Sequence, residues 1–526
     1  MDAEDEDAED DAEDEEGCVM NLTADIVIMG SGAAGYAAAD AALAQGKSVV
    51  VFEKRPFQGG VANCAIQYIV VRNDKAFQDR AFQLLYEYGN YNGNPLVIRQ
   101  YVNNSWRTKE FIERMGVKMQ SADLVPLEDL GAPERADGFP PALNVHGDDW
   151  LALGRGRGHG GALIGLNAMR DIIKRGGTYL LDTPLTDIRV DENGAVCEAI
   201  GVNNQTGEEV HVACKAVIIC AGGVMDDPEL LKEHTGFTYT GKNAPDGGNV
   251  TFNCFPDTKQ TGDGHKLAWK LGGAVGCISV EGHDMIPGPG IETDVSWITP
   301  YQFKIMTEQP YLWVNKKGKR FFDESLTNNH MATCRSIRNQ PDLVSYMIFD
   351  DDTRKKMEEA IDYFYFVFPA EKLTDVQGQF KDLIEKWNNQ HVFMEDTLEA
   401  ICEKAGIDQE GLEKSIARYN QFCESGEDKD FGKDPAYLRP VKKGPFYAMR
   451  VYAGGYNTIG GIRINGNMQV ITKDQDPIPG LFAAGDNVLG ELWGNPIIAG
   501  MGAAYYAMPL GFAAGDCASA YIDGTL

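Results

Sequence analysis

The chain has 526 residues, 43% of them hydrophobic, and a formal net charge of −30. That length accommodates about two to four domains with large cores, the composition is that of an ordinary globular protein, and no apolar run reaches the roughly 20 residues of a membrane span. The acidic balance argues against nucleic-acid binding, because phosphate contacts need Lys and Arg.

Residues 1–17 carry 12 acidic side chains and no basic ones. Such a segment has almost nothing to bury, so residues 1–20 are expected to be a disordered acidic tail. No basic-plus-apolar signal peptide precedes the first predicted strand, which makes the cytoplasm the expected compartment.

Asp25-Ile26-Val27-Ile28-Met29 then leads into Gly30-Ser31-Gly32-Ala33-Ala34-Gly35. An alanine-rich helical stretch runs to Gly46, and Ser48-Val49-Val50-Val51-Phe52 ends on Glu53. Strand, glycines, helix, strand and terminal acid in that order predict a dinucleotide-binding βαβ unit. Gly30 permits the tight turn, Gly32 admits a pyrophosphate with no Cβ in the way, and Gly35 lets the helix lie close on the strand. The phosphates would sit on the free N–H groups at the helix N-terminus. Glu53 is placed to accept hydrogen bonds from an adenosine ribose, and its charge disfavours a 2′-phosphate.

Lys54 and the small-residue loop Gly59-Gly60-Val61-Ala62-Asn63 follow, suited to close backbone approach to a bulky cofactor. An aromatic-rich helical region extends from Asp74 to Met115. Gly156-x-Gly158-x-x-Gly161 repeats the glycine spacing, but only polar Gly147-Asp148-Asp149-Trp150 precedes it. It reads as a flexible loop over the cofactor, followed by a helix from Ala162 to Arg175, rather than as a second nucleotide site.

From Thr178 to Val212 the pattern is strand-turn-strand, with turns at Glu192-Asn193-Gly194 and Gln205-Thr206-Gly207. Ala216-Val217-Ile218-Ile219-Cys220-Ala221-Gly222-Gly223 predicts a buried strand that returns the chain to the nucleotide sheet. Thr261-Gly262-Asp263-Gly264 reads as the N-cap of a helix to Leu271, with a further cofactor contact. Pro479-Gly480-Leu481-Phe482-Ala483-Ala484-Gly485-Asp486 is a last short strand, before a glycine-rich loop and a helix from about Gly500. Strands that stop on glycine at both ends of the chain favour one long cofactor, FAD rather than NAD. The 11 cysteines form no CxxC pair, so no zinc, haem or iron–sulfur site is expected, and the thiols read as reduced and mostly buried.

Taken in order, the glycine loop at 30–35, Glu53-Lys54, Gly59-Gly60, Thr261-Gly262-Asp263-Gly264, Gly318-Lys319-Arg320-Phe321, Thr458-Ile459-Gly460-Gly461 and the 479–486 strand resemble the FAD-dependent fumarate reductase/succinate dehydrogenase flavoprotein family. Relatives of that family include 3-ketosteroid dehydrogenases, urocanate reductases and gut-bacterial flavin reductases. The resemblance covers nearly the whole chain from residue 24. It implies an α/β fold, with a Rossmann-like FAD-binding domain formed by residues 21–282 and 457–526 and an inserted α+β capping domain at residues 283–456. The implied FAD contacts are Gly30, Ser31, Gly32, Ala33, Ala34, Gly35, Glu53, Lys54, Gly59, Gly60, Ala62, Ala221, Gly222, Asp263, Gly485, Asp486, Ile498 and Gly502. Substrate would lie between cap and isoalloxazine, with hydride passing at flavin N5 and cap closure excluding water.

Departures from the family pattern bear on the substrate. Fumarate reductases place a proton-donating Arg after Gly-Lys-Arg-Phe, where this chain has Asn328. Their His-His before Thr-x-Gly-Gly is Tyr456-Asn457, and their Asn-Arg-x-Gly-Gly is Gly494-Asn495-Pro496-Ile497-Ile498-Ala499-Gly500. The dicarboxylate clamps are therefore lost, and the resemblance implies a neutral, larger and more apolar substrate such as an enone, steroid or plant phenolic, gripped by side chains including Trp493. Tyr456, His283, Asn328, His330 and Asn457 are the candidate catalytic residues. The Asn328 amide cannot serve as an acid, and among Tyr456, His283, His330 and water the resemblance favours Tyr456 as proton donor, because it adjoins Thr458-Ile459-Gly460-Gly461, which borders the substrate cavity in relatives. The expected activity is reduction of an activated C=C bond. The alternatives are desaturation next to a ketone and a non-catalytic flavin-binding partner. With no second Rossmann unit, electrons are expected from a separate reductase or a small reduced flavin.

Overall fold

The computed structural model describes residues 19–64, 67–69, 71, 73–89, 91–117, 120–121, 150–152, 159–236, 238–239, 250–253, 258–287, 301–327, 330–362, 372–386, 388–493 and 504–526. The runs Ile26–Met29, Val49–Phe52 and Ala216–Ile219 are apolar at every position because each is buried on both faces, the mark of parallel sheets covered by helices. They form the centre of a six-stranded sheet ordered Gln469–Ile471, Pro477–Ala483, Ala216–Ile219, Ile26–Met29, Val49–Phe52, Thr178–Leu180. Only the Gln469–Ile471 edge strand is antiparallel to its neighbour.

Both ends of the chain thus meet in one sheet, and two helices seal it. Helix Ala33–Ala44 packs against the C-terminal helix Ala504–Ile522 at very short range. A Cβ on Gly511 would lie 2.3 Å from the Ala34 carbonyl oxygen, and one on Gly515 would lie 2.5 Å from that of Ala38. These two glycines, one turn apart, set how closely the helices approach.

A four-stranded sheet of Val19–Thr23, Glu209–Ala213, Val196–Val202 and Leu185–Val190 lies beside this core. Its first strand pairs in register with Glu209–Ala213 from Val19 onward, so ordered structure begins inside the stretch expected to be tail, while residues 1–18 lie outside the described residues. The aromatic-rich region is three helices, Lys75–Tyr88, Pro95–Asn104 and Arg107–Arg114. A strand does precede the second glycine-rich segment, contrary to the sequence reading. It is Trp150–Ala152, and its partners Gln67–Ile69 and Gln120–Ser121 are antiparallel, so it builds no βαβ unit. Residues 153–158 lie outside the described residues, and the following helix is His159–Lys174.

The remaining large sheet has seven strands. The long strand Phe446–Ile462 lies between Val250–Asn253 and Val344–Asp350, and Val275–Pro287 and Val392–Glu395 also pair with it. Two apolar clusters flank the sheet. Trp313, Met347, Phe349, Tyr447 and Met449 face one side, and Leu312, Val314, Tyr346, Ile348 and Ala448 face the other, as the two-residue period of a strand requires. Phe446–Ile462 also reaches the nucleotide-sheet core through Ile459 and Ile462. Residues 283 and 456, the expected cap boundaries, both fall inside continuous strands.

Among the described residues no helix is long and apolar enough to cross a membrane, and no group of His, Cys, Asp and Glu could hold a metal ion. Cys214, Cys220, Cys334, Cys402 and Cys517 are buried free thiols, whereas Cys277 is exposed.

Candidate active site

The carboxyl ends of the parallel strands, at Met29, Phe52 and Cys220, open onto a cavity. This is where open α/β sheets bind ligands. Its wall includes Gly30, Ser31, Gly32, Ala33, Ala34, Glu53, Lys54, Gly59, Gly60, Ala62, Ala221, Gly222, Asp263, Gly485 and Asp486. Arg55, Pro184, Leu185, Thr258, Lys259 and Gln260 also line it. Of these unforeseen residues, only 258–260 carried a sequence signal, their position just before Thr261-Gly262-Asp263-Gly264. Ile498 and Gly502 lie outside the described residues.

The glycines of the loop have different jobs. Gly30 has φ +95°, and a Cβ there would lie 2.6 Å from the Cys220 carbonyl oxygen. A Cβ on Gly35 would lie 1.9 Å from the Gly30 oxygen, so this residue lets helix Ala33–Ala44 close on its own loop. Gly32 differs, since its Cβ would meet only the Gly59 oxygen at 3.5 Å, an ordinary contact. The helix starts at Gly32 with no side-chain cap and no acid in its first turn. Its leading N–H groups are therefore available to an anion.

Glu53 has a role that the sequence did not reveal. Its Oε2 accepts from the Ser31 N–H at 3.0 Å and the Ser31 Oγ–H at 2.7 Å, and its Oε1 accepts from the Arg55 N–H at 3.0 Å. Ser31 Oγ in turn accepts from the Gly59 N–H at 3.1 Å. The buried carboxylate thus ties both glycine loops together as well as lining the cavity.

Lys54 Nζ donates to Thr261 Oγ1 at 2.6 Å and Asp263 Oδ2 at 2.8 Å. Within the expected N-cap stretch, Thr261 is therefore not the capping residue. Its hydroxyl is held by Lys54 and donates to Asp263, and helix Asp263–Lys270 begins instead from Gly262 in a left-handed conformation.

At the other wall, Asn457 Nδ2 donates to Asp486 Oδ2 at 2.9 Å. Burial pushes the Asp486 carboxyl up to about 6, and the Asn457 hydrogen bond opposes that rise. Asn457 Oδ1 and both ends of the Asn487 amide are buried with no partner among the described residues. Thr458 Oγ1 accepts from the Val224 N–H at 2.7 Å, pinning the same strand to the loop after Gly222. His265, which burial pushes down to about 4, is neutral, and its Nε2 lies 2.8 Å from the Gly460 oxygen.

The strands also place two of the catalytic candidates. Val280 pairs with Thr458, Gly282 with Gly455, and Asp284 with Gly454. Glu281 therefore faces two residues, Tyr456 and Asn457, across one bulge, and His283 is the extra residue of the next. Bulges of this kind re-aim side chains and are over-represented beside active sites. His330 is the first residue of helix His330–Arg338, Trp493 ends helix Leu489–Trp493, and Asn328 and residues 494–503 lie outside the described residues. Asn457, a candidate catalytic residue, gives an amide N–H to Asp486.

The cavity fits FAD on two structural counts. The helix N-terminus is uncapped, and Gly60 and Gly222 have open space where a Cβ would project.

Comparison with known proteins gives the same cofactor. A family described as an FAD binding domain matches residues 25–502. The chain is 27% identical over 481 residues to a vinyl phenol reductase of Lactiplantibacillus plantarum, covering 89% of this chain and 90% of that protein. It is also 27% identical over 483 residues to an NADH:fumarate oxidoreductase of Klebsiella pneumoniae, covering 90% of this chain but 45% of the relative. In fold it resembles a 3-ketosteroid delta1-dehydrogenase from Sterolibacterium denitrificans, with a TM-score of 0.67, 19% identity, and coverage of 95% of this chain and 99% of that one.

Proposed function

We propose a reaction from one premise: this chain belongs to the FAD binding domain family and is an FAD-dependent oxidoreductase acting on CH–CH bonds. The reaction is reduction of an activated C=C bond in a neutral, largely apolar substrate of phenolic or enone type. The observation that carries this reading is the Asn457–Asp486 hydrogen bond. At the position where fumarate reductases grip a carboxylate, this chain has an uncharged amide engaged with the opposite wall. Asn328 and the Pro496 loop replace the two arginines that would neutralise a dicarboxylate. Removing one partner of a buried ion pair costs about 3–5 kcal/mol, on the order of 10²-fold or more in binding. The similarity to a vinyl phenol reductase over 89% of the chain supports a phenolic substrate.

FAD, when bound, supplies the hydride. The chain's own residues hold the cofactor at the glycine loops, cover the substrate with residues 283–456, and deliver a proton. Tyr456 takes that last role, standing at a bulge next to Asn457. A phenol, with an ordinary pKa near 10, is protonated at pH 7 and can donate to a developing anion. Electrons come from a separate reductase or a reduced flavin.

The test is anaerobic reduction of the purified flavoprotein, followed by re-oxidation with a vinyl phenol, a 3-ketosteroid enone and fumarate in turn. Re-oxidation by the vinyl phenol or the enone is expected to be at least about 10²-fold faster than by fumarate, the discrimination set by the missing counter-charges. Comparable rates with fumarate overturn the proposal, and rapid bleaching by NADH alone overturns the electron source. Tyr456→Phe is expected to lower turnover by roughly 10²-fold with FAD content unchanged. If Tyr456→Phe turns over like wild type while His283→Ala does not, the proton donor is the histidine.

A further inference from the structure

Asp486 is a partly buried carboxyl in the wall of the cofactor cavity, and among the described residues no basic side chain forms an ion pair with it. The charged side chains of the cavity wall are engaged elsewhere or do not act on it. Glu53 holds Ser31 and the Arg55 N–H, and Lys54 pairs with Asp263. Neither Arg55 nor Lys259 contributes to the carboxyl's altered acidity, whose causes are burial first and Asn457 second. A buried carboxylate with one hydrogen bond is costly to maintain unless further donors reach it.

Asn457 and Thr458 are consecutive residues of one strand, and their side chains engage Asp486 in the cavity wall and the Val224 N–H, two residues beyond the lining residue Gly222. The spare capacity lies alongside, at Asn457 Oδ1 and the Asn487 amide. We infer that Asn457 is a cofactor-side positioning residue: its amide holds the Asp486 carboxyl in the cavity wall, leaving the second oxygen for a hydroxyl of bound FAD. This rests on the FAD reading of the cavity. It also fixes the strand that carries Tyr456 to the cofactor wall, so cofactor and proton donor are placed by one hydrogen bond.

The test is equilibrium titration of FAD-stripped full-length protein with FAD between pH 5 and pH 8. In Asn457→Asp, two carboxyls stand at hydrogen-bond distance, so they share a proton at low pH, and ionising both as pH rises sets two like charges together. Binding is expected to stay near wild type at pH 5, where the introduced carboxyl is protonated and can still donate, and to weaken at least tenfold by pH 8. The exchanged variant, Asn457→Asp with Asp486→Asn, restores the amide–carboxylate pair in reverse. It is expected to unfold thermally like wild type, yet to remain at least tenfold weaker for FAD with no pH dependence from this pair. Wild-type affinity in Asn457→Asp across the whole range, or full recovery of affinity in the exchanged variant, overturns the inference. Failure of the wild-type protein to take up FAD at any pH instead overturns the premise on which it stands.

Discussion

Gly32→Val is expected to give a folded protein that has lost its FAD, whereas Gly35→Val is expected not to fold. The two glycines are three residues apart in one motif, but their surroundings differ. At Gly32 the backbone is extended, with φ −73° and ψ −170°, which any residue can adopt. The nearest protein atom to its Cβ would be 3.5 Å away. The space beside it is left for the pyrophosphate, so branched methyl groups there exclude ligand rather than protein. A loss of at least about 10²-fold in affinity, near 3 kcal/mol, is the expected scale. At Gly35 a Cβ would stand 1.9 Å from a backbone oxygen, and neither helix nor loop can yield that much without unpacking. The flavin-to-protein ratio together with far-UV circular dichroism separates the outcomes. Stoichiometric FAD in Gly32→Val would show that the cofactor lies elsewhere.

Glu324→Gln is expected to destabilise the protein by about 3–5 kcal/mol, the cost of leaving a buried charge without its partner. Arg320 donates to both Glu324 oxygens, at 2.9 and 2.7 Å, and to both Asp428 oxygens, at 3.1 and 2.8 Å. Lys433, fully buried, reaches Glu324 at 3.5 Å and donates to the Tyr419 hydroxyl at 2.9 Å. Burial alone would favour a neutral amine, but the Glu324 charge and the Tyr419 hydroxyl together outweigh it and raise Lys433 above its ordinary value. Two cations are balanced by two anions, and Gln leaves Asp428 to neutralise both. The midpoint of urea unfolding should fall accordingly, while removal of the exposed Glu410–Lys414 pair should leave it unchanged. An unshifted midpoint in Glu324→Gln would mean that water reaches this network in solution.

The nucleotide sheet was legible because its information is local. A strand buried on both faces must be apolar throughout, so Ile26–Met29, Val49–Phe52 and Ala216–Ile219 announce themselves, and a turn at φ +95° with backbone packed against it admits little but glycine. Conversely, which residue of Thr261-Gly262-Asp263-Gly264 caps its helix was not legible, because a lysine 207 residues earlier holds the Thr261 hydroxyl. The Trp150–Ala152 strand was missed because three residues are too few to show a period.

The sequence by itself determined the cofactor and the βαβ unit, since both depend on which residue types stand at fixed short spacings. The tertiary structure alone decided which side chains work together. It turned Glu53 toward Ser31 and Asn457 toward Asp486, put Tyr456 and His283 on neighbouring bulges of paired strands, and ran those strands through the expected cap boundaries. The physical reason is that hydrogen-bond partners and strand register are set by backbones that meet only after long loops have closed, and no local pattern records which donor will find which acceptor.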